Sequence, residues 1–498
     1  MKLVVLGAGT AGLTTALMLR EKFSFSTITI IKSKEIGTVG VGEGSTEHWN
    51  HFMQYVKINP YELIYKTDAT LKVGILFKNW SQENKEYVHG VGDFRLAANG
   101  QPELYHHLYL KNLNRKFPLV PGFEEVWYKN LTMVAPPNQI GVNQFHFDTF
   151  KLGEFLISKC LEVNINIVDD IVSDVILNKE GEIKELITKN DIISGDLFID
   201  CSGFRRVLSS KIGNKWVPKT KYLPMNRAIA FPTSHNTSGE IEPYTTATAL
   251  SAGWSWKIPT QERYGNGYVF NTDYISADQA LGELNKVLNC NIENVARDIP
   301  FEAGKIDKFW LKNVVSIGLA GSFAEPLEAQ SIGFTIIQNI ALIDYLDTWH
   351  FNKESISKKY NTDMDIAYDN IISYLQLHYL GDRDDTKFWK DKPFEITDFL
   401  KENLPAFKHG IFERPLFTDY CMFKTPNWYH VMAGLNLMDK KEIRNNLIKN
   451  KEKFNFENEE YANFQNTISY RQNVMNHRDY LKHIKFNYMF KKKISKLI

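Results

Sequence analysis

Six residues near the N-terminus, Gly7-Ala8-Gly9-Thr10-Ala11-Gly12, restrict the fold more than any other stretch of the chain. An apolar run of β-strand character, residues 2–6, precedes them, and a good helix former, residues 13–19, follows. Each glycine has a separate task. Gly7 makes the tight turn, Gly9 lets a pyrophosphate approach the backbone, and Gly12 lets helix and strand pack closely. The unpaired N–H groups at the helix start, aligned with the helix dipole, suit a diphosphate. A second strand at 27–31 completes the opening of a Rossmann-like α/β unit. The motif asks for a dinucleotide without saying which one.

An acidic residue that holds the ribose is usual about 20 residues past such glycines. Here the chain has Lys32-Ser33-Lys34-Glu35. Either Lys32 reads the extra phosphate of NADP, or it is a surface lysine and Ser33 or Glu35 holds the ribose. The next segment favours the second reading. Gly40-Val41-Gly42-Glu43-Gly44-Ser45-Thr46 places glycines at alternate positions, so an irregular backbone can wrap a large flat ligand. Ser45 is suited to begin a helix near Trp49.

The remaining composition mainly excludes. A formal net charge of +1 over 498 residues gives no support for a nucleic-acid surface. Cys160, Cys201, Cys290 and Cys421 lie far apart with no Cys-x-x-Cys, so neither a metal site nor a disulfide framework is expected, and the pattern fits a reducing cytoplasm. No apolar run reaches the length of about 18 residues that a membrane span needs. Strands are predicted at 164–168, 171–177, 182–188, 196–199 and 313–319, with helical patterns dominating from 338 onward.

Val39-Gly40-Val41-Gly42-Glu43 resembles the flavin strap of the flavin-dependent tryptophan halogenases, and further segments match that family in order. They are Leu71-Lys72 through Asn79-Trp80, Phe145-His146-Phe147-Asp148, Asp200 through Arg205, and Phe323 through Glu328. Gly253-Trp254-Ser255-Trp256-Lys257-Ile258-Pro259 is the most specific match. His378-Tyr379, Asp384-Asp385, Phe388-Trp389, Trp428 and Gly434 extend the likeness to about residue 435.

The resemblance implies an α/β fold with an FAD-binding, Rossmann-like domain interleaved with a substrate-binding region over 1–337, and a mainly helical C-terminal part over 338–498. It implies FAD, arriving as FADH2 from a separate flavin reductase, a halide ion (chloride, bromide or iodide), an aromatic small-molecule acceptor and a homo-oligomer. The flavin contacts fall on Gly7, Gly9, Thr10, Ala11, Gly12, Val39, Gly40, Val41, Gly42, Glu43, Ser45 and Thr46. The catalytic pair falls on Lys72 and Glu328, and the halide on the backbone N–H groups of Gln330 and Ser331. Trp254, Trp256 and Pro259 would form a rigid wall between flavin and acceptor, the two tryptophans sharing one side of an extended segment.

The chemistry suits these residue types. Hypohalous acid is small and indiscriminate, so it must be held and aimed. A lysine can do this as a hydrogen-bonding ammonium or, deprotonated by burial, as a haloamine. A carboxylate then stabilises the cationic ring and can take its proton. A flavin monooxygenase that uses no halide and a non-catalytic flavin-binding protein are the competing expectations.

Two departures bear on specificity. Relatives usually continue Glu-Ser-Thr-Gly, whereas Glu328 is followed by Ala329-Gln330-Ser331-Ile332-Gly333, which alters the halide site's side chains but not its backbone donors. His89 is kept from the family's substrate clamp, but Val91 stands where a phenylalanine would stack on the indole. That change forfeits about 0.5–1.5 kcal/mol of stacking. It makes other indoles, phenols or anilines at least as good acceptors as free tryptophan.

Overall fold

The structure, a computed structural model, is described over residues 1–36, 43–83, 85–90, 109–110, 128–134, 144–235, 239–293, 295–411, 418–449 and 474–494. Val39, Gly40, Val41, Gly42 and Val91 lie outside the described residues.

The first strand, Lys2–Leu6, sits inside a six-stranded sheet. Its neighbours are Leu197–Asp200 on one side and Thr27–Lys32 on the other, both parallel to it. Asn166–Asp169 and Val314–Ser316 extend the sheet in parallel, and Trp310–Leu311 closes one edge antiparallel. Such a parallel centre, covered on both faces, explains the near-continuous apolar runs of its strands. Helix Thr10–Lys22 makes the crossover between the first two strands. Gly7 has φ +114°, and a Cβ built there would lie 2.2 Å from the Cys201 carbonyl oxygen. One on Gly12 would lie 1.9 Å from the Gly7 carbonyl oxygen, so neither position admits a side chain.

The strand expected over 313–319 is shorter, Val314–Ser316, and gives way to a 3-10 turn, Gly318–Ala320. Gly318 adopts φ +65°, a left-handed conformation that ends the strand. A Cβ on Gly318 would come 2.6 Å from the Ala11 methyl carbon, so this turn packs against the start of the first helix.

A seven-stranded sheet forms the second layer. Its order is Arg297–Pro300, Arg227–Ser234, Arg263–Phe270, Gly253–Pro259, Thr245–Leu250, Gly74–Lys78 and Glu86–Gly90. All neighbours are antiparallel except Thr245–Leu250 with Gly74–Lys78. A small sheet then places Phe145–Phe147 between Glu43–Gly44 and Thr70–Leu71. It joins the end of the glycine-rich segment to the strand that precedes Lys72.

Ser45 does not begin a helix. Helix His48–Tyr55 starts after Glu47 without a side-chain cap, and the Ser45 hydroxyl accepts the Phe145 N–H at 2.9 Å instead. Sheet pairing has taken the side chain that local propensity offered to a cap.

Helix Gln330–Leu346 is buried along most of its length and runs unbroken across residues 337 and 338. The Thr15 hydroxyl donates to Asn339 Oδ1 at 2.8 Å, joining it to the first helix. The 26-residue helix Lys353–His378 and helix Thr425–Gly434 then pack over the site. Strand Val474–Asn476 pairs with Leu131–Met133, and helix His477–Ile494 lies against Pro60–Thr67. Among the described residues no helix is long and apolar enough to cross a membrane, and no cluster of possible metal ligands occurs.

Candidate active site

Lys72 leaves the Thr70–Leu71 strand with its backbone N–H donating to the Gln144 carbonyl at 2.9 Å. Its side chain is 1% exposed, and Nζ donates to the Ser45 carbonyl at 2.9 Å. Gly44 marks the meeting point: a Cβ there would lie 3.3 Å from the Ala329 methyl carbon and 3.6 Å from Lys72 Nζ. The glycine-rich segment, the residue before Gln330 and the lysine ammonium thus converge within van der Waals range.

Glu328 lines the same cavity as Lys72, with His89, Met422 and Asn427 on its walls. His89 Nδ1 lies 3.0 Å from both carboxylate oxygens, and His378 Nε2 lies 2.9 Å from Oε1. The Tyr374 hydroxyl stands 3.4 Å from Oε1. Two proton positions follow from these partners. Asn427 Oδ1 accepts the Lys424 N–H at 3.0 Å, so its NH2 group faces His89 Nε2 at 3.3 Å. His89 Nδ1 therefore donates toward Glu328. His378 differs: Nδ1 faces the Tyr374 carbonyl at 3.1 Å and Nε2 faces the carboxylate. Nε2 therefore donates to Glu328. Burial raises the Glu328 carboxyl, but the attraction of His89 and the hydrogen bonds from His378 and His89 outweigh it and hold the group well below the usual carboxylate range.

Gln330 and Ser331 open a helix whose preceding residue, Ala329, has φ +55° and whose start has no side-chain cap. Their N–H groups belong to the first turn, where an α-helix has no internal partners for its donors. The Gln330 side chain turns back to the Ala324 and Glu325 carbonyls, at 3.3 and 2.6 Å, which leaves the backbone to present the donors.

Trp254 and Trp256 do share one side of their strand, with ring centroids 6.1 Å apart. Neither lines the cavity that holds Lys72, and nor does Pro259. Trp254 Nε1 donates to Glu325 Oε2 at 3.3 Å, while the Tyr379 hydroxyl donates to Oε1 at 2.7 Å. Burial pushes the Glu325 carboxyl up to about 7. The tryptophan therefore grips the segment three residues before Glu328. The Pro259 carbonyl accepts the Thr70 hydroxyl at 2.7 Å, two residues before Lys72. Each thus touches the side chain of a residue two or three positions before Lys72 or Glu328.

Lys32 ends its strand 3.3 Å from Asp169 Oδ2, and Lys34 reaches the same oxygen at 3.1 Å. The lysine is occupied at the sheet edge, which accords with a local surface role.

A family model for tryptophan halogenase matches residues 2–450. The chain belongs to the tryptophan halogenase family. It is a flavin-dependent halogenase, an oxidoreductase of aromatic halogenation that uses FADH2 and halide, the reduced flavin coming from a separate reductase. It is 32% identical over 442 residues to tryptophan 6-halogenase SttH of Streptomyces toxytricini, covering 82% of this chain and 84% of that protein. Tryptophan 7-halogenase RebH of Lentzea aerocolonigenes is 27% identical over 88% of this chain and 90% of its own. The crystal structure of SttH superposes with a TM-score of 0.82 at 26% identity, over 97% of this chain and 99% of that one.

Two places suit the flavin that the family uses. A Cβ on Gly9 would meet nothing within 4 Å, so the mouth of the first helix opens onto free space beside the N–H groups of Thr10, Ala11 and Gly12. At the end of the glycine-rich segment, Glu43 Oε2 is buried without a hydrogen-bond partner among the described residues, and burial pushes this carboxyl up to about 7. A polar cofactor edge would satisfy it. FADH2, when bound, would supply the oxygen activation.

Sequence reasoning gave no role to His378, Tyr374, Asn427 or His477. The four-residue spacing of Tyr374 and His378, on one helix face, was the available signal for the first two. His477 is fully buried, its Nε2 accepting the Leu71 N–H at 3.1 Å and its Nδ1 facing the Ile241 carbonyl at 3.2 Å. The C-terminal segment thus fastens the residue before Lys72. Burial lowers the His477 imidazole to about 4. With an ordinary unfolded value near 6.5, its stabilising effect is complete above about pH 6.5 and is lost as pH falls toward 4. The loss is roughly 3 kcal/mol at most. Chemical denaturation of the His477→Gln variant should show a shallower fall in stability over that window than the parent; equal slopes would refute the assignment.

Proposed function

We propose that this halogenase delivers hypohalous acid to the Lys72–Glu328 cavity for electrophilic halogenation of an electron-rich aromatic. The observation that carries the reading is that lysine and carboxylate, 256 positions apart in sequence, line one buried cavity beside the start of the Gln330 helix. The first-turn N–H groups of Gln330 and Ser331 hold the halide. Lys72 donates a hydrogen bond to hypohalous acid and directs its halogen toward the acceptor. Glu328, kept ionised by the two histidines, stabilises the ring cation and receives its proton. His89, fixed by Asn427, orients that carboxylate. A homo-oligomer and a cytoplasmic location complete the proposal, on the family resemblance and the scattered cysteines.

The named activities of SttH and RebH make tryptophan one acceptor to test. Val91, in place of the family's phenylalanine, favours a wider choice, and we propose indoles, phenols and anilines beside it. Mass spectrometry of such a panel, with a flavin reductase and each of chloride, bromide and iodide, tests this. The expected result is a halogen mass shift on at least one non-tryptophan acceptor. Turnover of tryptophan alone would overturn the wider specificity, and an added oxygen without halogen would overturn the delivery step.

A further inference from the structure

Eleven methionines occur in the chain, and one of them stands where the oxidant would pass. Met422 is 3% exposed and lines the cavity with Lys72 and Glu328. Its methyl group packs against Gly333, as the Thr46 hydroxyl does. A Cβ built on Gly333 would lie 2.3 Å from Met422 Cε and 2.4 Å from the Thr46 hydroxyl oxygen. Gly333 belongs to the helix that Gln330 opens, and Thr46 follows the residue whose carbonyl holds Lys72. The thioether therefore borders the route from the proposed halide donors to the lysine.

We propose that Met422 is the site at which this halogenase oxidises itself when hypohalous acid forms without an acceptor in the cavity. The inference rests on the delivery of hypohalous acid to that cavity. Thioether sulfur is a soft, polarisable nucleophile. A sulfur lone pair attacks the halogen of hypohalous acid, forming an S–halogen bond as the halogen–oxygen bond breaks and hydroxide leaves. Water then adds to the halosulfonium sulfur, halide departs, and two protons are released, one neutralising the hydroxide. Sulfur loses two electrons and the halogen gains two. The net change is thioether plus hypohalous acid to sulfoxide, halide and one proton. A seated aromatic ring intercepts the oxidant first, so the modification reports idle turnover.

The product is disabling. A sulfoxide is polar, and its oxygen needs volume beside a methyl group that already leaves no room for a Cβ on Gly333. Accommodating it moves the helix start that carries the halide donors, the Thr46 segment, or both. Cys421 is the adjacent thiol and is buried, but it does not line the cavity. Met489, 42% exposed on the C-terminal helix, samples oxidant that has escaped into solution.

The test uses the full chain with a flavin reductase, oxygen, bromide and catalase, with no aromatic acceptor, followed by thiol alkylation, digestion and fragmentation mass spectrometry. Met422 should gain one oxygen atom ahead of Met489 and Cys421, in step with loss of halogenating activity. Omitting bromide, or saturating with an aromatic the enzyme halogenates, should leave Met422 reduced, whereas reagent hypobromous acid added from outside should modify Met489 first. In the Met422→Leu variant, activity relative to its own starting rate should decay more slowly. Activity lost with Met422 intact, prior oxidation of Cys421 or Met489, bromide-independent oxidation, or an unchanged decay in the variant would each overturn the proposal. Absence of any halogenated product from the parent enzyme would instead overturn the delivery of hypohalous acid on which the proposal rests.

Discussion

Exchanging Lys72 for alanine should abolish halogenation while leaving flavin binding nearly intact. The ammonium is the buried hydrogen-bond donor at the junction of the glycine-rich segment, Ala329 and the cavity. Removing one donor aimed at a reacting group costs about 10²–10³ in kcat, and removing a proton-handling group about 10²–10⁴. The proposed flavin contacts at the Gly7–Gly12 turn sit on a separate element and survive, and those at Ser45 lose only the hydrogen bond that Lys72 Nζ gives its carbonyl. A Lys72→Met variant keeps the aliphatic bulk and separates lost chemistry from lost packing. Losing the Ser45 carbonyl's donor destabilises the fold by about 1–3 kcal/mol at most, which a thermal melt would register. Product formation by mass spectrometry and flavin binding by fluorescence check the two halves. A methionine variant that still halogenates would remove Lys72 from the mechanism.

The parts of this site that were legible in the sequence are those set by local sterics. Gly7 and Gly12 could be read because a Cβ at either would strike backbone at 2.2 and 1.9 Å, a constraint that short-range spacing expresses. The tryptophan pair was legible in its shared face, since alternation along a strand is local. Its grip on Glu325 was not, because the partner arrives from another element. Ser45 shows the reverse error. Its propensity to cap is real, but Phe145, 100 residues away, supplied a better donor. The histidines fell outside local reasoning altogether: His378 meets Glu328 across 50 residues, and His477 meets Leu71 across 406. Lys72 and Glu328 themselves look like an ordinary lysine and an ordinary acidic residue near a helix start. Only the family pattern singled them out, and only the fold brings them to one cavity.

The second large effect is expected at Glu328, and it separates the carboxylate's charge from its environment. Glu328→Gln keeps the shape and removes the charge, and kcat should fall by about 10²–10⁴ with little change in KM, because the role proposed for the carboxylate is toward the ring cation and not toward the bound acceptor. His378→Phe retains the carboxylate but removes its imidazole hydrogen-bond partner. Burial, which raises the Glu328 carboxyl, would then be opposed mainly by His89, so the group would protonate at a higher pH than in the parent. The sign of the effect follows directly. A carboxylate that must be ionised loses activity as pH falls through its pKa, so the variant should gain an acidic limb in its kcat profile where the parent is flat. Raising the pH should restore part of the variant's rate, which a merely structural defect would not allow. An unchanged pH profile in His378→Phe would mean that the carboxylate does not depend on His378 for its charge. The buried pair would then be a packing feature, with breaking it costing about 3–5 kcal/mol of stability and nothing in the pH response.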